Sequence, residues 1–245
     1  MHTTYWRCCK SSGAMALEEL PAIAYAQRGD TLSVNLYGAG ETRFRTQGRD
    51  VVLKQQTRYP FDGAITLQVS TDDVVRFTLR LRIPSWATDA RLHINGEPTD
   101  LPLSAGDYAT IEREWHDGDM VSLQLPMCPA LHRAINRNVQ ESKAPDGSDV
   151  RQEVLHFEYI AVTCGPLVYA TGLIDGFKLE ESLRLPEGEP DAWLSFHPRA
   201  ADAMPRVRLA LGYRPPLEFA PYFCAGGRTD GTWRLTWLPL APALA

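Results

Sequence analysis

Nothing in the 245 residues approaches the ~20 consecutive apolar residues that a membrane-spanning helix needs. The N-terminus also lacks the charged-then-apolar layout of a secretory leader. Both absences predict a soluble chain with no membrane partner, and they leave its compartment unknown. Basic charge is not in excess either. The 25 Lys and Arg against 30 Asp and Glu give a formal net charge of -5 and a pI near 5.7. The arginines stand singly along apparent strands, as Arg76, Arg80 and Arg82 do. Such a surface does not gather phosphates, which argues against nucleic acid as a partner. Also missing are a Gly-rich phosphate loop, a Gly-x-Ser-x-Gly elbow, a His-rich segment, internal repeats and low-complexity tracts.

Cysteine is scarce and odd in number, with five residues at 8, 9, 128, 164 and 224. A dense disulfide framework is therefore excluded, and free thiols are expected. Cys128, Cys164 and Cys224 sit in apolar or strand-like settings ("QLPMCPA", "AVTCGPL", "PYFCAGG"), where a buried small side chain is the ordinary reading.

What is present is mostly strand. An ordinary balance of 44% apolar and 22% charged residues suits a chain that buries a real core, as one large β domain or two modest domains. Residues 11–20 are helix formers, with Ser11 or Ser12 as N-cap and Pro21 limiting or kinking the helix. Downstream, "VVRFTLRLRIPSW" alternates Val75, Phe77, Leu79, Leu81 and Ile83 with Arg76, Thr78, Arg80 and Arg82, the signature of a half-buried strand. Asn95-Gly96 marks a hairpin, and Asp117, Gly118 and Asp119 join two further strands. Short strands at this spacing predict a sandwich or barrel. The polar stretch "NVQESKAPDGSDVRQE" (138–153) reads as a loop or boundary, and residues 183–205 read as loop-like.

Cys8 and Cys9 are the candidate chemistry. The start of a helix lowers a thiol pKa, and thiolates attack electrophiles or bind soft metals. Zinc wants four ligands, and spacing alone supplies no partners for these two, so on spacing alone buried inert thiols are the ordinary reading and a metal or nucleophile role the alternative. The paired carboxylates Asp117/Asp119, Asp72/Asp73 and Glu112/Glu114 fit turn chemistry or a solvated face better than acid–base catalysis. Trp86, Trp115, Tyr108, Trp193, Trp233 and Trp237 could stack on sugar rings, yet core or turn anchoring explains most of them.

Several separate motifs carry a resemblance. They are the Cys-Cys pair at 8 and 9, "DTLSVNLYGAG" (30–40), "LRLRIPSWA" (79–87), "INGEP" (94–98), "GDYATIEREWHDGDMVSLQLPM" (106–127), "CGPLVYA" (164–170) and "APYFCAGGR" (220–228). In order and spacing they resemble the C-terminal portion of glycoside hydrolase family 127, the β-L-arabinofuranosidase group. The resemblance implies a mainly β fold. Two β-sandwich domains, at 29–135 and 136–245, would follow a remnant at 1–28 of the last helix of an (α/α)6 barrel that is itself missing. It also implies a retaining glycosidase with a zinc ion held by one glutamate and three cysteines. Cys8 would be the nucleophile, Cys8 and Cys9 a partial zinc set, and an upstream glutamate the acid/base.

On that expectation the chain is a C-terminal β-domain fragment, inactive alone and not stably holding zinc. Its partner would be an arabinofuranoside-containing carbohydrate, with a homodimer open. The alternatives are a carbohydrate-binding or protein-interaction β-sandwich without chemistry, and a thiol-based redox or zinc sensor.

Overall fold

The computed structural model describes residues 7–172, 182–198, 204–224 and 234–241, with the side chains of 7–10, 154–156 and 234 left out. The chain divides into two compact units, Met1–Pro126 and Met127–Ala245. The family resemblance placed the division after residue 135. It falls earlier because the strand that begins at Pro129 pairs wholly with residues 149–164 and so belongs to the second unit.

The first unit opens with helix α1 (Arg7–Ala24). It begins four residues before Ser11, which puts the expected Ser11 and Ser12 caps inside the helix. It also continues through Pro21, since a proline removes one backbone donor and need not end a helix. Ten strands follow: β1 (Tyr25–Arg28), β2 (Thr31–Val34), β3 (Gly40–Thr46), β4 (Arg49–Thr57), β5 (Ala64–Thr71), β6 (Val75–Arg82), β7 (Arg91–Ile94), β8 (Glu97–Pro98), β9 (Tyr108–Trp115) and β10 (Met120–Gln124).

They form a four-stranded sheet in the order β1-β2-β6-β9 and a six-stranded sheet in the order β3-β4-β5-β10-β7-β8. The pair β2 and β6 is parallel. Both sheets feed one core: Leu32, Val34, Phe77, Leu79 and Leu81 come from the first, and Val51, Leu53, Ile65, Leu67, Val69 and Val121 from the second. The alternation expected of "VVRFTLRLR" is present, with Val75, Phe77, Leu79 and Leu81 buried and the intervening residues exposed or half-buried. This unit is a β-sandwich. At the β7–β8 hairpin Asn95 (φ 52°) and Gly96 (φ 88°) both occupy the left-handed region that a two-residue turn requires.

The second unit carries β11 (Pro129–Lys143), β12 (Asp149–Cys164), β13 (Leu167–Gly172), β14 (Leu194–His197), β15 (Arg206–Leu209), β16 (Leu217–Pro221), β17 (Arg234–Leu235) and β18 (Trp237–Pro239). Its main path runs β11-β12-β13-β16-β15-β14, with β17 beside β13 and β18 beside β12. A separate core gathers Ile160, Val162, Tyr169, Leu194, Val207, Phe219 and Leu238.

Two expectations are corrected here. The stretch 138–153 is no boundary loop, because β11 and β12 form a long antiparallel hairpin through it with Lys143 paired to Asp149. Only Ala144–Ser148 turns, closed by Gly147 N–H to Ala144 O at 2.9 Å. Within 183–205, β14 adds an antiparallel strand to β15.

Candidate functional site

Cys8 and Cys9 lie in the first turn of α1, where the unsatisfied backbone N–H groups favour thiolate. The side chains of Cys8 and Cys9 lie outside the described residues, as does Trp233. Among the described residues no three His, Cys, Asp or Glu side chains are grouped to hold a metal ion. Further along the same helix Met15, Leu17, Leu20 and Ile23 are exposed, an apolar surface on a helix that touches mainly β1.

The remaining cysteines divide by environment. Cys164 is buried as expected, whereas Cys128 and Cys224 are exposed. The apolar neighbours that suggested burial are themselves at the surface, since Tyr222 and Phe223 are exposed and Cys128 only precedes β11. Burial, reinforced by nearby Cys128, pushes the Cys164 thiol up to about 12, so it remains protonated and unreactive at neutral pH.

The carboxylate pairs are structural. Asp73 pairs with Arg49 at 2.7 Å and Glu112 with Arg76 at 2.9 Å, while Asp117 accepts from the Thr71 N–H at 3.2 Å. Asp119 is 8% exposed. It accepts from the Asn95 side-chain amide at 2.8 Å and from the His116 N–H at 2.9 Å, with Arg113 at 3.6 Å. Burial alone would raise its pKa, but these hydrogen bonds and the charges of Arg113 and His116 outweigh it and hold the carboxyl below its ordinary value of 3.8. A depressed native pKa gives stability that is present above the unfolded value and lost as pH falls through the native one.

Asp119→Ala removes the acceptor and strands the Asn95 and His116 donors, an expected loss of about 2 kcal/mol at pH 7. In urea titrations across pH, the gap between the parent and this variant should hold at neutral pH and narrow below about 3.8. A gap independent of pH would show that the carboxylate charge is not what stabilises the turn.

Of the aromatic residues, Trp115 is fully buried and Trp193 nearly so. Tyr108 donates to Asn35 at 2.7 Å and lies under the Arg80 guanidinium at 4.5 Å. Trp237 is the exception, at 46% exposed. It lies opposite Ala161 on β12, on the face that carries Tyr159 and Phe157, and a shallow groove joins it to Tyr159, Ala134 and Asn136. Residue spacing had not singled out this groove. Alternation along β12 assigns Phe157 and Tyr159 to one face, but the neighbourhood of Trp237 follows only from the pairing of β18 with β12.

Residues 31–127 match the family profile described as beta-L-arabinofuranosidase, GH127 middle domain. Over 96% of its length the chain superposes on the GH127 β-L-arabinofuranosidase of Geobacillus stearothermophilus T6, with a TM-score of 0.69 and 28% identity, covering 38% of that chain. Both matches support membership of glycoside hydrolase family 127 for these residues.

A second solved glycoside hydrolase aligns over 97% of this chain with a TM-score of 0.70 and 25% identity, covering 40% of its own length. A further GH127 β-arabinofuranosidase shares the fold at 22% identity and a TM-score of 0.67 over 96% of this chain and 39% of that one. No curated protein gives a significant match. The chain thus spans about two fifths of the solved structures it matches. Among its described residues no helix is long and apolar enough to cross a membrane.

Proposed function

We propose that these residues are the β-domain part of a glycosidase that cleaves β-L-arabinofuranosides with retention, and that Cys8 is its nucleophile. The observation carrying this reading is the match over 31–127 to the middle domain of that family. The exposed Met15, Leu17, Leu20 and Ile23 of α1 support it, because an apolar helix face of this kind suits packing against further helices. In the proposed step the Cys8 thiolate attacks the anomeric carbon. The bond from that carbon to the leaving oxygen breaks, the leaving oxygen takes a proton from a general acid, and water later displaces the thiolate. Cys9 beside it would contribute, with Cys8, at most half of a tetrahedral zinc set.

Residues 1–245 by themselves are expected to give no turnover. A proton donor to a leaving group needs a raised carboxyl pKa. Asp119, the buried carboxylate among the described residues, is instead held below its ordinary value by the Asn95 and His116 donors. The purified chain incubated with an aryl β-L-arabinofuranoside should release no sugar above the blank. Release abolished by Cys8→Ser would overturn the claim that these residues lack a proton donor, and release unaffected by it would overturn the role of Cys8.

The groove lined by Trp237, Tyr159 and Asn136 favours a second reading, sugar binding without chemistry, because an exposed indole can stack on a sugar face. Calorimetric binding of an arabino-oligosaccharide without hydrolysis, lost in Trp237→Ala, would select it.

A further inference from the structure

α1 is anchored to the first unit at its C-terminal end. Every side chain from Ser11 to Ile23 is exposed, and the helix touches mainly β1. The last carbonyls of a helix have no partner within it and must find one outside. Here the final two are met by one residue, Asn35, directly after β2. The Ala24 carbonyl accepts from the Asn35 backbone N–H at 2.8 Å, one step beyond the Tyr25–Val34 pair of the β1–β2 ladder. The Ile23 carbonyl accepts from the Asn35 side-chain amide at 2.9 Å.

Asn35 is itself fixed to the four-stranded sheet. Its side-chain oxygen accepts from the Tyr108 hydroxyl of β9 at 2.7 Å, and its backbone carbonyl accepts from Arg82 Nε of β6 at 2.7 Å. The Arg82 carbonyl is held in turn by the Tyr37 hydroxyl at 2.7 Å. All four polar groups of Asn35 are therefore engaged, two toward α1 and two toward the sheet. A carbonyl can only accept, so the amide NH2 must face Ile23 and the amide oxygen must face Tyr108.

The geometry points to Asn35 as a positioning residue: by tying the end of α1 to β6 and β9, it sets the direction in which the helix carries Cys8. This deepens the proposal above and rests on Cys8 as the nucleophile. The bond to Ala24 continues the ladder and alone would let the helix swing about its last residue. The bond to Ile23 lies one residue further into the helix and supplies the second point that fixes its direction. From Ala24 to Cys8 the helix runs ~24 Å, so a tilt of ~10° at the anchor displaces the first turn by ~4 Å. A misplacement of about 1 Å is enough to cost about 10²-fold in rate.

Residual dipolar couplings of the backbone amides in the nitrogen-15-labelled chain 1–245 read the direction of α1 within the first unit. In the parent, the α1 couplings should fit the same alignment as those of β2, β6 and β9. Asn35→Asp keeps the size of the side chain and the acceptor for Tyr108, but sets an oxygen against the Ile23 carbonyl. Its α1 couplings should shrink toward zero while the α1 chemical shifts stay helical and the strand couplings keep their fit. A residue that only filled space would tolerate so close an isostere. Tyr108→Phe leaves the amide oxygen of Asn35 without its donor and should shrink the α1 couplings less; it decides the matter should Asn35→Asp not fold. Parent α1 couplings that do not fit the strands, or α1 couplings unchanged in either folded variant, would overturn the proposal. None of these readings depends on turnover, so a failure of the anchor is distinguishable from a failure of Cys8 as nucleophile, which sugar release reports.

Discussion

Gly63→Ala should prevent the first unit from folding, or leave it destabilised at the upper end of what one substitution does, about 4 kcal/mol. Gly63 immediately precedes β5, and its carbonyl accepts from the Leu125 N–H at 2.9 Å, extending the β5–β10 pairing by one residue past Ala64 and Gln124. A Cβ built on Gly63 would lie 1.7 Å from the Leu125 carbonyl oxygen and 2.7 Å from its carbonyl carbon. Both are backbone atoms, so no rotamer change relieves the overlap. Relief requires the two chains to part, which breaks the hydrogen bond and lifts Leu125, fully buried in the core, out of its packing. The matched control is Gly13→Ala, where a Cβ would meet nothing within 4 Å. That exposed helical position should gain about 0.8 kcal/mol from helix propensity. Urea unfolding followed by tryptophan fluorescence distinguishes the two, and a soluble Gly63→Ala chain with the parent midpoint would show that the strands can separate cheaply here.

How much of this was legible beforehand follows from what alternation reports. β6 could be read directly because one of its faces is buried and the other is not, and Asn95-Gly96 could be read because only such residues accept two left-handed positions in a row. The distal hairpin was invisible for the same reason. From Asn136 to Lys143 every residue is exposed, so neither face selects apolar side chains and the segment looks like a loop. Its pairing is marked by charge, Lys143 to Asp149 at 2.8 Å and Arg137 to Glu153 at 4.0 Å. Those pairs cannot be recognised until the register is known.

Alternation also assigns faces and not partners. β9 and β10 are joined by the short turn at His116–Asp119, yet β9 pairs with β6 in one sheet and β10 with β5 in the other. At the candidate site, the Cys-Cys pair could be read as standing at a helix start, where α1 places it. The spacing of the remaining residues pointed to no partners for it, because ligands to one metal are gathered by tertiary structure.

The turn that carries the chain between sheets places Trp115 at their junction, and Trp115→Ala should cost the first unit about 3–5 kcal/mol. The indole is fully buried. It stacks on Phe77 of β6 with ring centroids 5.2 Å apart. Phe77 in turn meets Phe44 of β3 edge-on at 5.2 Å, so the three rings link the four-stranded sheet to the six-stranded one. Trp115 Nε1 also donates to the Phe77 carbonyl at 3.0 Å, which gives the buried ring a partner for its one polar atom.

Trp115→Phe separates these contributions. It keeps an aromatic face against Phe77 and drops the hydrogen bond, so its cost should be smaller, about 1–2 kcal/mol. Equilibrium urea denaturation of both variants gives the order directly. If phenylalanine proves as damaging as alanine, the hydrogen bond to the Phe77 carbonyl is the larger contribution at this junction. If alanine costs less than about 1 kcal/mol, the rings do not hold the sheets together and the sandwich relies on its aliphatic layers.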